Sequence, residues 1–338
     1  MRLIDIAKAA NVSTATIVRV ISKNGYVSEK TRKNVEHAIE KYGYFPNKIA
    51  RSLRTKTTNM IGLIMPQSST NPFFAQILDA VTRAAHDAGY HIITLITNYD
   101  METERGLVEE MSAIKVDGII FASSTFPDVV TKTVKSNVPV VMIERPNDVY
   151  GINKVLVDDI EGSYLATRHL IEKGHTELAY IGQKLDGTVE INRHEGFLKA
   201  CRESGITVAG EMIRFVDKYT YENGFSAALE ILKQNVRPTG ILAASDILAI
   251  GVLQCFHEAG IKVPDDISVI GYDNTLSQMT TPKLTSIGFP MDEIGKYAIQ
   301  MIVDKIQNQH TSTKTITLSP YMVQRDSVKS LIPKAAPL

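Results

Sequence analysis

The sequence predicts two kinds of fold in one chain: an all-α N-terminal domain of the helix-turn-helix type, followed by a two-lobed α/β core with parallel sheets. Three observations support this prediction. The first sixty residues hold 12 Lys and Arg against 4 Asp and Glu, so the rest of this neutral 338-residue chain carries a net charge of −8. Short helical patterns fill the basic segment. After residue 60, apolar runs alternate with helical patterns, which is typical of βαβ units.

The bulk composition is that of a folded protein, with 44% hydrophobic and 22% charged residues. No apolar segment reaches the ~20 residues of a transmembrane helix, and the N-terminus lacks the pattern of a signal peptide. We therefore expect a cytoplasmic protein without a membrane contact. Cys201 and Cys255 lie in apolar surroundings and are expected to be reduced core thiols.

The basic segment predicts three short helices. The first spans about residues 3–11, and the second runs from Thr14 to about Ser22 after an N-cap at Ser13. Ser28 caps the third helix, and Gly43 stands where a left-handed terminating residue belongs. The side chains expected to pack inward are Ile4, Ile6, Ala7 and Ala10, then Ile17, Val20 and Ile21, and finally Val35, Ala38, Ile39 and Tyr42.

The outward face of the second helix carries mostly small side chains. At 100° per residue, Ala15, Val18, Arg19 and Ser22 point outward, and Thr14 lies at the edge of this face. Small side chains let a helix approach base edges in the major groove, and an arginine can bond a guanine with two hydrogen bonds. The alternative is an ordinary helical bundle with a solvated basic surface.

The whole head resembles the N-terminal domain of LacI-type (lactose-repressor-type) bacterial transcription regulators. The matching segments are Asp5-Ile6-Ala7, Val12-Ser13, Ala15-Thr16, Arg19-Val20, Val27-Ser28, Thr31-Arg32, Gly43-Tyr44 and Pro46-Asn47. The resemblance implies DNA binding, with Thr14, Ala15 and Arg19 reading bases. The DNA contacts expected in the head are Ser13, Thr14, Ala15, Thr16, Arg19, Asn24 and Tyr26.

Two positions depart from the pattern of that family. Val18 stands where the family usually has a serine that contacts phosphate, and Ser22 stands where it usually has asparagine. Because the side chain of valine cannot donate a hydrogen bond, one contact to the DNA phosphate backbone is expected to be missing. Val18 can instead contact a thymine methyl group.

Residues 47–59 are expected to form a hinge helix and a linker. Asn47 can cap a short helix, and Ile49, Ala50 and Leu53 give it a small apolar edge. So short a helix is unstable alone in water, which indicates folding against a partner. The resemblance implies that two copies pair in the minor groove, where Leu53 opens a base step. Asn47, Ala50 and Leu53 are therefore predicted DNA contacts; the alternative is a basic linker without an ordered role.

The core, residues 60–330, resembles the sugar-binding-protein-like core of the same regulators and is similar to type I periplasmic binding proteins. The cues are Asn71-Pro72-Phe73-Phe74, Asp117-Gly118-Ile119-Ile120, Arg193 with Gly196-Phe197, Ser245-Asp246, Gly271-Tyr272-Asp273-Asn274, and Pro282 with Thr285. The resemblance implies an N-lobe of about 60–159 plus 291–320 and a C-lobe of about 160–290 plus 321–330. It leaves 1–46 as the DNA-binding head and 331–338 as a tail. The tail has no heptad repeat, so a coiled coil that would form a tetramer is not expected.

Seven residues are predicted to bind a small molecule between the lobes: Phe73, Phe74, Arg193, Tyr219, Ser245, Asp246 and Asp273. A guanidinium fork and a carboxylate suit the adjacent hydroxyls of a sugar. Alternatives remain open at each position: a structural salt bridge for Arg193 and Asp273, simple packing for the aromatic residues, and a helix cap for Asp246.

Signals of an enzyme are absent from the sequence. No phosphate-binding glycine motif follows a strand, and the eight histidines have no metal-ligand spacing. The adjacent carboxylates Asp158 and Asp159 are interpreted as a cap for a helix that starts near Glu161. No cofactor and no metal are expected.

The expected function is a sequence-specific DNA-binding regulator, most simply a repressor of carbohydrate-utilisation genes. It is expected to act as a homodimer on a pseudo-palindromic, double-stranded DNA operator. A small-molecule effector, a sugar or sugar derivative, is expected to control it. A solute receptor with an unused head, and a regulator controlled by a protein corepressor, remain as alternatives.

Overall fold

The computed structural model describes residues 3–22, 24–44, 57–66, 71–124, 126–145, 149–308 and 312–332. The chain forms two compact units, Met1–Thr58 and Asn59–Leu338. The first unit holds three helices within its described residues, α1 (Leu3–Ala9), α2 (Thr14–Ser22) and α3 (Glu29–Lys41). The hinge segment falls largely outside the described residues, so the predicted contacts Asn47, Ala50 and Leu53 are not described further.

The head packs around a small apolar core. Ile6, Ile17 and Val35, one from each helix, are completely buried. Two predicted core residues are wrong, because Ile4 is 48% exposed and Tyr42 is 41% exposed. Leu3, Ile6, Ala7 and Ala10, which recur at intervals of three and four residues, pack instead along α1. The predicted turns are confirmed, since Asn11 and Gly43 have positive φ values of 53° and 55°.

The second unit contains two sheets, each covered by its own set of helices. The first sheet has the order β11-β5-β4-β3-β1-β2, and all its neighbouring strands are parallel. Its strands are β1 (Met60–Met65), β2 (His91–Ile96), β3 (Gly118–Ala122), β4 (Val140–Ile143), β5 (Asn153–Val157) and β11 (Thr315–Leu318). The helices packed on it are α4 (Pro72–Asp87), α5 (Met101–Ala113), α6 (Pro127–Lys135) and α11 (Met291–Gln307). We call this assembly the first lobe.

The second sheet has the order β12-β10-β9-β8-β6-β7 and is parallel except for the antiparallel pair of β10 and β12. Its strands are β6 (Leu178–Gln183), β7 (Ile213–Val216), β8 (Gly240–Ala243), β9 (Ser268–Tyr272), β10 (Thr285–Gly288) and β12 (Tyr321–Val323). The helices packed on it are α7 (Asp159–Glu172), α8 (Thr188–Glu203), α9 (Tyr221–Leu232) and α10 (Asp246–Glu258). This is the second lobe. The predicted two-lobed α/β core with parallel sheets is confirmed.

The chain passes between the lobes three times, after β5, after β10 and after β11. Parallel sheets are covered on both faces, which explains why β1, β3, β4, β8 and β9 are almost entirely buried. Cys201 and Cys255 are buried free thiols, as predicted.

The start of helix α8 matters for the site. The sequence pattern predicts a helix over about 193–204, but the helix starts at Thr188, about five residues earlier. Gly187 precedes it in an extended conformation with no side-chain cap. Glu190 and Arg193 therefore lie on the same helix, one turn apart. Further along, Gly196 lets α7 approach closely, since a Cβ atom there would collide with the carbonyl oxygen of Ile160.

Candidate nucleic-acid interface and ligand cleft

The outward face of α2 is open to solvent. Ser13 caps the helix by accepting a hydrogen bond from the backbone N–H of Thr16 at 3.1 Å, and the two hydroxyl oxygens lie 3.0 Å apart. Thr14, Ala15 and Arg19 are exposed, whereas Ile17 and Val20 on the opposite face are buried. This is the division of faces that the sequence predicted. Val18, expected to point outward, is half-buried instead.

The loop after α2 lies beside Arg19. Gly25 has a φ of +90°, and a Cβ atom there would lie 3.6 Å from Cδ of Arg19. Asn24 and Tyr26 flank this glycine and are both exposed, Tyr26 to 92%. This loop therefore offers an exposed aromatic ring close to the exposed guanidinium of Arg19, so the surface can make both apolar contacts and hydrogen bonds. Among the described residues, Arg19 has no carboxylate partner.

The cleft between the lobes contains a buried ion-pair network around Arg193. Its Nε donates to Oδ1 of Asp159 at 2.8 Å, and its Nη1 donates to the carbonyl oxygen of Ala244 at 2.7 Å. The same Nη1 lies 3.4 Å from Oδ1 of Asp273. The guanidinium also lies over the ring of Tyr272, 4.1 Å from its centroid. All these partners belong to the second lobe, so the predicted effector residues Arg193 and Asp273 are also a structural pair.

Burial changes the protonation of this network. Removal from water raises the pKa of Asp273 to about 7, although Arg193 opposes the shift. Burial also raises the pKa of Asp159, again against the charge of Arg193. The predicted residue Tyr219 borders the same cleft, and desolvation raises its pKa well above the usual range. One arginine therefore offsets two carboxyls incompletely.

Phe73 and Phe74 form one wall of the cleft at the start of α4. The side chain of Asn71 caps that helix by accepting from the N–H of Phe73 at 3.1 Å. Both rings are buried, and their centroids are 5.4 Å apart in an edge-to-face arrangement. Phe73 also contacts Phe289 at 5.7 Å. These side chains both pack in the core and line the cleft.

Ser245 and Asp246 do not border this cleft. Ser245 caps α10 by accepting from the N–H of Leu248 at 3.3 Å, so the cap is Ser245 and the cap interpretation of Asp246 is wrong. Asp246 instead accepts from Oγ of Ser286 at 2.6 Å and from the N–H of Thr275 at 2.7 Å. Asp246 therefore supports the loop after β9, which carries Asp273, whereas Ser245 supports the start of α10.

A second ion pair joins the two lobes and was missed by sequence reasoning. Arg145 follows β4 in the first lobe, and Glu190 lies on α8 in the second lobe. Nη2 of Arg145 donates to Oε1 of Glu190 at 2.6 Å, and Nη1 donates to Oε2 at 3.1 Å. Nε of Arg145 donates to Oγ of Ser123 at 3.0 Å. Glu190 is completely buried. The available signal was the position of Arg145 just beyond a buried strand, where binding loops gather.

Asp159 was also missed. The adjacent carboxylates were interpreted together as a helix cap, but only Asp158 caps α7, by accepting from the N–H of Glu161 at 2.9 Å. Asp159 is the first residue of that helix and is buried against Arg193. The two adjacent carboxylates therefore have different roles, because Asp158 is the N-cap and Asp159 is the first residue of the helix.

Three cleft residues follow directly on strand ends with left-handed backbone. Ser123 follows β3 with a φ of 66°, Glu144 follows β4 with a φ of 73°, and Asp273 follows β9 with a φ of 92°. Such conformations cost about 1–3 kcal/mol each for residues other than glycine and cluster at binding sites. They mark the carboxyl ends of the strands in both lobes as the functional edge.

The described part of the chain shows neither of two other kinds of site. It contains no helix that is both long and apolar enough to cross a membrane. Nor do its His, Cys, Asp and Glu side chains form a group of three or more that could hold a metal ion.

Comparison with known families assigns both parts of the chain. The family described as bacterial regulatory proteins, lacI family, matches residues 2–47, and the periplasmic binding protein-like domain matches residues 167–328. The HTH-type transcriptional repressor PurR of Erwinia tasmaniensis is 36% identical over 328 residues, which cover 96% of each chain. The protein of the same name from Proteus mirabilis is 34% identical with the same coverage.

Solved structures share the same architecture. The lac repressor dimer bound to operator and the anti-inducer ONPF has a TM-score of 0.86 and 26% identity, covering 97% of this chain and 99% of that chain. A complex of the transcriptional regulator CelR with cellobiose has a TM-score of 0.74 and 27% identity at the same coverage. Both the head and the two-lobed core therefore occur together in known regulators.

Proposed function

Because this chain belongs to the lacI family of bacterial regulatory proteins, we propose that it represses transcription by binding a pseudo-palindromic operator as a homodimer. The family consists of DNA-binding transcriptional regulators, not enzymes, and this chain is such a regulator. The observation that carries the proposal is the exposed outward face of α2, with Arg19 free beside the loop of Asn24 and Tyr26. It acts, on this proposal, in the cytoplasm, where the operator DNA is.

The DNA contacts proposed for the head divide into two groups. Thr14, Ala15 and Arg19 contact base edges in the major groove, because they lie on the exposed face of one helix. Ser13, Thr16, Asn24 and Tyr26 surround that face and bind the phosphate backbone, which fixes the register without reading sequence. In the hinge, Asn47, Ala50 and Leu53 are proposed to enter the minor groove.

The core is proposed to bind a small-molecule effector between its lobes. Arg193, Asp273, Tyr219, Phe73 and Phe74 line this cleft and supply polar groups next to aromatic walls. A sugar or sugar derivative is the first candidate, because adjacent hydroxyls match a carboxylate and a guanidinium. Repression of carbohydrate-utilisation genes would follow from that ligand. Ser245 and Asp246 are left out of the proposed contacts, because the side chain of Ser245 caps α10 and that of Asp246 bonds the loop after β9.

Effector binding is proposed to alter operator affinity by changing the relation between the lobes. Such coupling is reciprocal, so the operator changes effector affinity by the same factor. Whether the effector releases or strengthens DNA binding depends only on which state of the protein it prefers. The interlobe pair of Arg145 and Glu190 is one contact that a change in lobe orientation would break.

The test is selection of an operator from random duplexes with the full chain, followed by titration of the selected duplex. We expect one pseudo-palindromic sequence to bind much more tightly than a scrambled duplex, with affinity falling steeply as salt rises. Titration with and without candidate sugars then measures the coupling. Equal affinity for every duplex would contradict the proposed regulator. A ligand that binds the core and leaves operator affinity unchanged would contradict only the coupling.

A further inference from the structure

The guanidinium groups of the cleft are already satisfied by the protein. Arg145 donates all three of its described hydrogen bonds to Glu190 and Ser123. Arg193 is bonded to Asp159 and to the carbonyl oxygen of Ala244, with Asp273 close by. An incoming anion would have to displace a buried carboxylate from its arginine, which would leave that carboxylate uncompensated.

The same network contains more carboxyls than arginines. Among its described residues, the network has two cations, Arg145 and Arg193. It has four carboxyls: Glu144, Asp159, Glu190 and Asp273. Burial raises the pKa values of Glu144, Asp159 and Asp273, because the available positive charge does not fully offset the loss of water. Two guanidinium groups therefore offset four carboxyls incompletely.

Two polar atoms at the cleft have no partner among the residues the structure describes. They are Oε2 of Glu144 and the hydroxyl oxygen of Tyr219, and both are shielded from solvent. Both residues line the same small cavity as Phe73 and Phe74. A buried carboxylate oxygen without a partner is costly, and a ligand that donates to it recovers that cost.

On the premise that this cleft binds the effector, we propose that the effector is a small hydroxylated ring carrying a protonated amino group, which donates to Glu144. An amino sugar has this chemistry. A bound ammonium favours the ionised form of Glu144 against the effect of burial on its pKa. The resulting bond from the ammonium N–H to the carboxylate is charge-assisted and is stronger than a bond between neutral groups. Sugar acids and sugar phosphates would place a further negative charge beside four carboxyls that share two guanidinium groups, so they are disfavoured.

The experiment compares ligands built on one sugar ring that carry a positive charge, no charge or a negative charge. Isothermal titration of the full chain with D-glucosamine, D-glucose and D-glucuronate, and with the corresponding galactose and mannose sets, measures the preference at constant pH. In at least one set, we expect the amine to bind about tenfold or more tightly than the neutral sugar and the carboxylate to bind weakest. A carboxylate that binds as tightly as the amine, or three forms that do not differ in any set, overturns the proposal.

Two variants assign the preference to Glu144. Glu144→Gln keeps the shape of the side chain and removes its charge, so we expect the advantage of the amine over the neutral sugar to disappear. Glu104→Gln is the matched control, because Glu104 is a buried carboxyl of the first lobe that is not among the residues lining the cleft and accepts from Oγ of Ser124 at 2.6 Å. It should keep the full preference. An unchanged preference in Glu144→Gln overturns the assignment, and thermal unfolding verifies that both variants are folded.

Operator titration with the same preparations separates this proposal from the regulator itself. A protein that binds its selected operator but shows no preference for the amine fails the ligand proposal alone. A protein that prefers the amine but binds all duplexes equally fails the proposed function alone.

Discussion

The exposed face of α2 and the cleft of the core are built in opposite ways. On α2, side chains such as Ala15 and Arg19 stand in solvent, and Arg19 has no carboxylate partner among the described residues. In the cleft, Arg145 and Arg193 are held by several partners each, and Glu190 is completely buried. On a surface that binds DNA, charged side chains can stay hydrated and without protein partners until the phosphates of the duplex pair with them. A cleft that excludes water must compensate its charges within the protein.

The largest expected effect comes from removing the centre of the cleft network. Arg193→Met leaves Asp159 and Asp273 buried without their cation, so the free energy of unfolding should fall by about 3–5 kcal/mol. Urea unfolding of the full chain, followed by circular dichroism, measures this change.

The matched control for that variant is Arg168→Met. Arg168 bonds the exposed Glu172 at 3.1 Å, and a surface pair contributes at most about 1 kcal/mol. If Arg193→Met costs no more than this control, the cleft is not the low-dielectric environment that the comparison requires.

The next effect concerns pH and the buried carboxyl of Glu104. Burial raises its pKa from an ordinary 4.5 to about 7, although Ser124 opposes the shift. The folded state therefore retains a proton that the unfolded state releases, and stability falls as pH rises from about 4.5 to about 7. At about 1.4 kcal/mol per pKa unit, the loss approaches about 3 kcal/mol by pH 8. Glu104→Gln should remove this part of the slope.

Urea unfolding between pH 5 and pH 8 checks the prediction. Glu102→Gln serves as the control, because Glu102 lies on the same helix with an exposed side chain paired to Arg105. The control should keep the wild-type slope. A slope that Glu104→Gln leaves unchanged would show that Glu104 ionises freely in the folded protein.

On the DNA side, the expected effect is smaller and concerns specificity. Arg19→Ala should reduce discrimination at one base pair of the selected operator by about 1–3 kcal/mol, because the bidentate contact to one base is lost. The exposed position of Arg19 predicts little change in the stability of the head. Titration of operators with single base-pair changes measures the effect.

Lys30→Ala is the control for Arg19→Ala, since Lys30 is an exposed cation at the start of α3. A phosphate contact, if Lys30 makes one, would weaken all duplexes alike. The assignment of Arg19 to a base is refuted if Arg19→Ala shows the same uniform loss.

The smallest effect tests whether the stability of the head depends on local caps. Ser28 accepts from the N–H of Thr31 at 3.3 Å at the start of α3, so Ser28→Ala should destabilise the head by about 1 kcal/mol. Asn34→Ala, at an exposed position inside the same helix, should not destabilise it. Thermal unfolding of the full chain, monitored in the head by hydrogen exchange, distinguishes the two. Equal losses would assign the effect to something other than the cap.

Local pattern was sufficient for most of the head. The caps at Ser13 and Ser28 and the buried residues Ile17 and Val20 follow from residues three or four positions apart. The error at Ile4 arose from assigning four apolar residues to one face of a seven-residue helix. Leu3 lies three residues before Ile6 and four before Ala7, so it shares their buried face of the helix. Ile4 lies outside that face.

The cleft was predicted less completely. Arg193, Asp273 and Tyr219 were predicted from resemblance to a family, and Phe73 and Phe74 from their position after the first strand. The structure brings all five together at one cavity. Their roles toward a ligand stay predictions. Ser245 and Asp246 were predicted to belong to the same site, but the side chain of Ser245 caps α10 and that of Asp246 bonds the β9 loop.

By itself the sequence determined the class of fold and the division of α2 into a buried and an exposed face, because these depend on periodicity along a continuous segment. Only the tertiary structure decided how charge is distributed in the cleft. Arg145 meets Glu190 and Asp159 meets Arg193 across tens of residues, so no local spacing encodes either pair. The raised pKa of Asp273 arises in the same way, since desolvation depends on everything packed around a group and not on its neighbours in the chain.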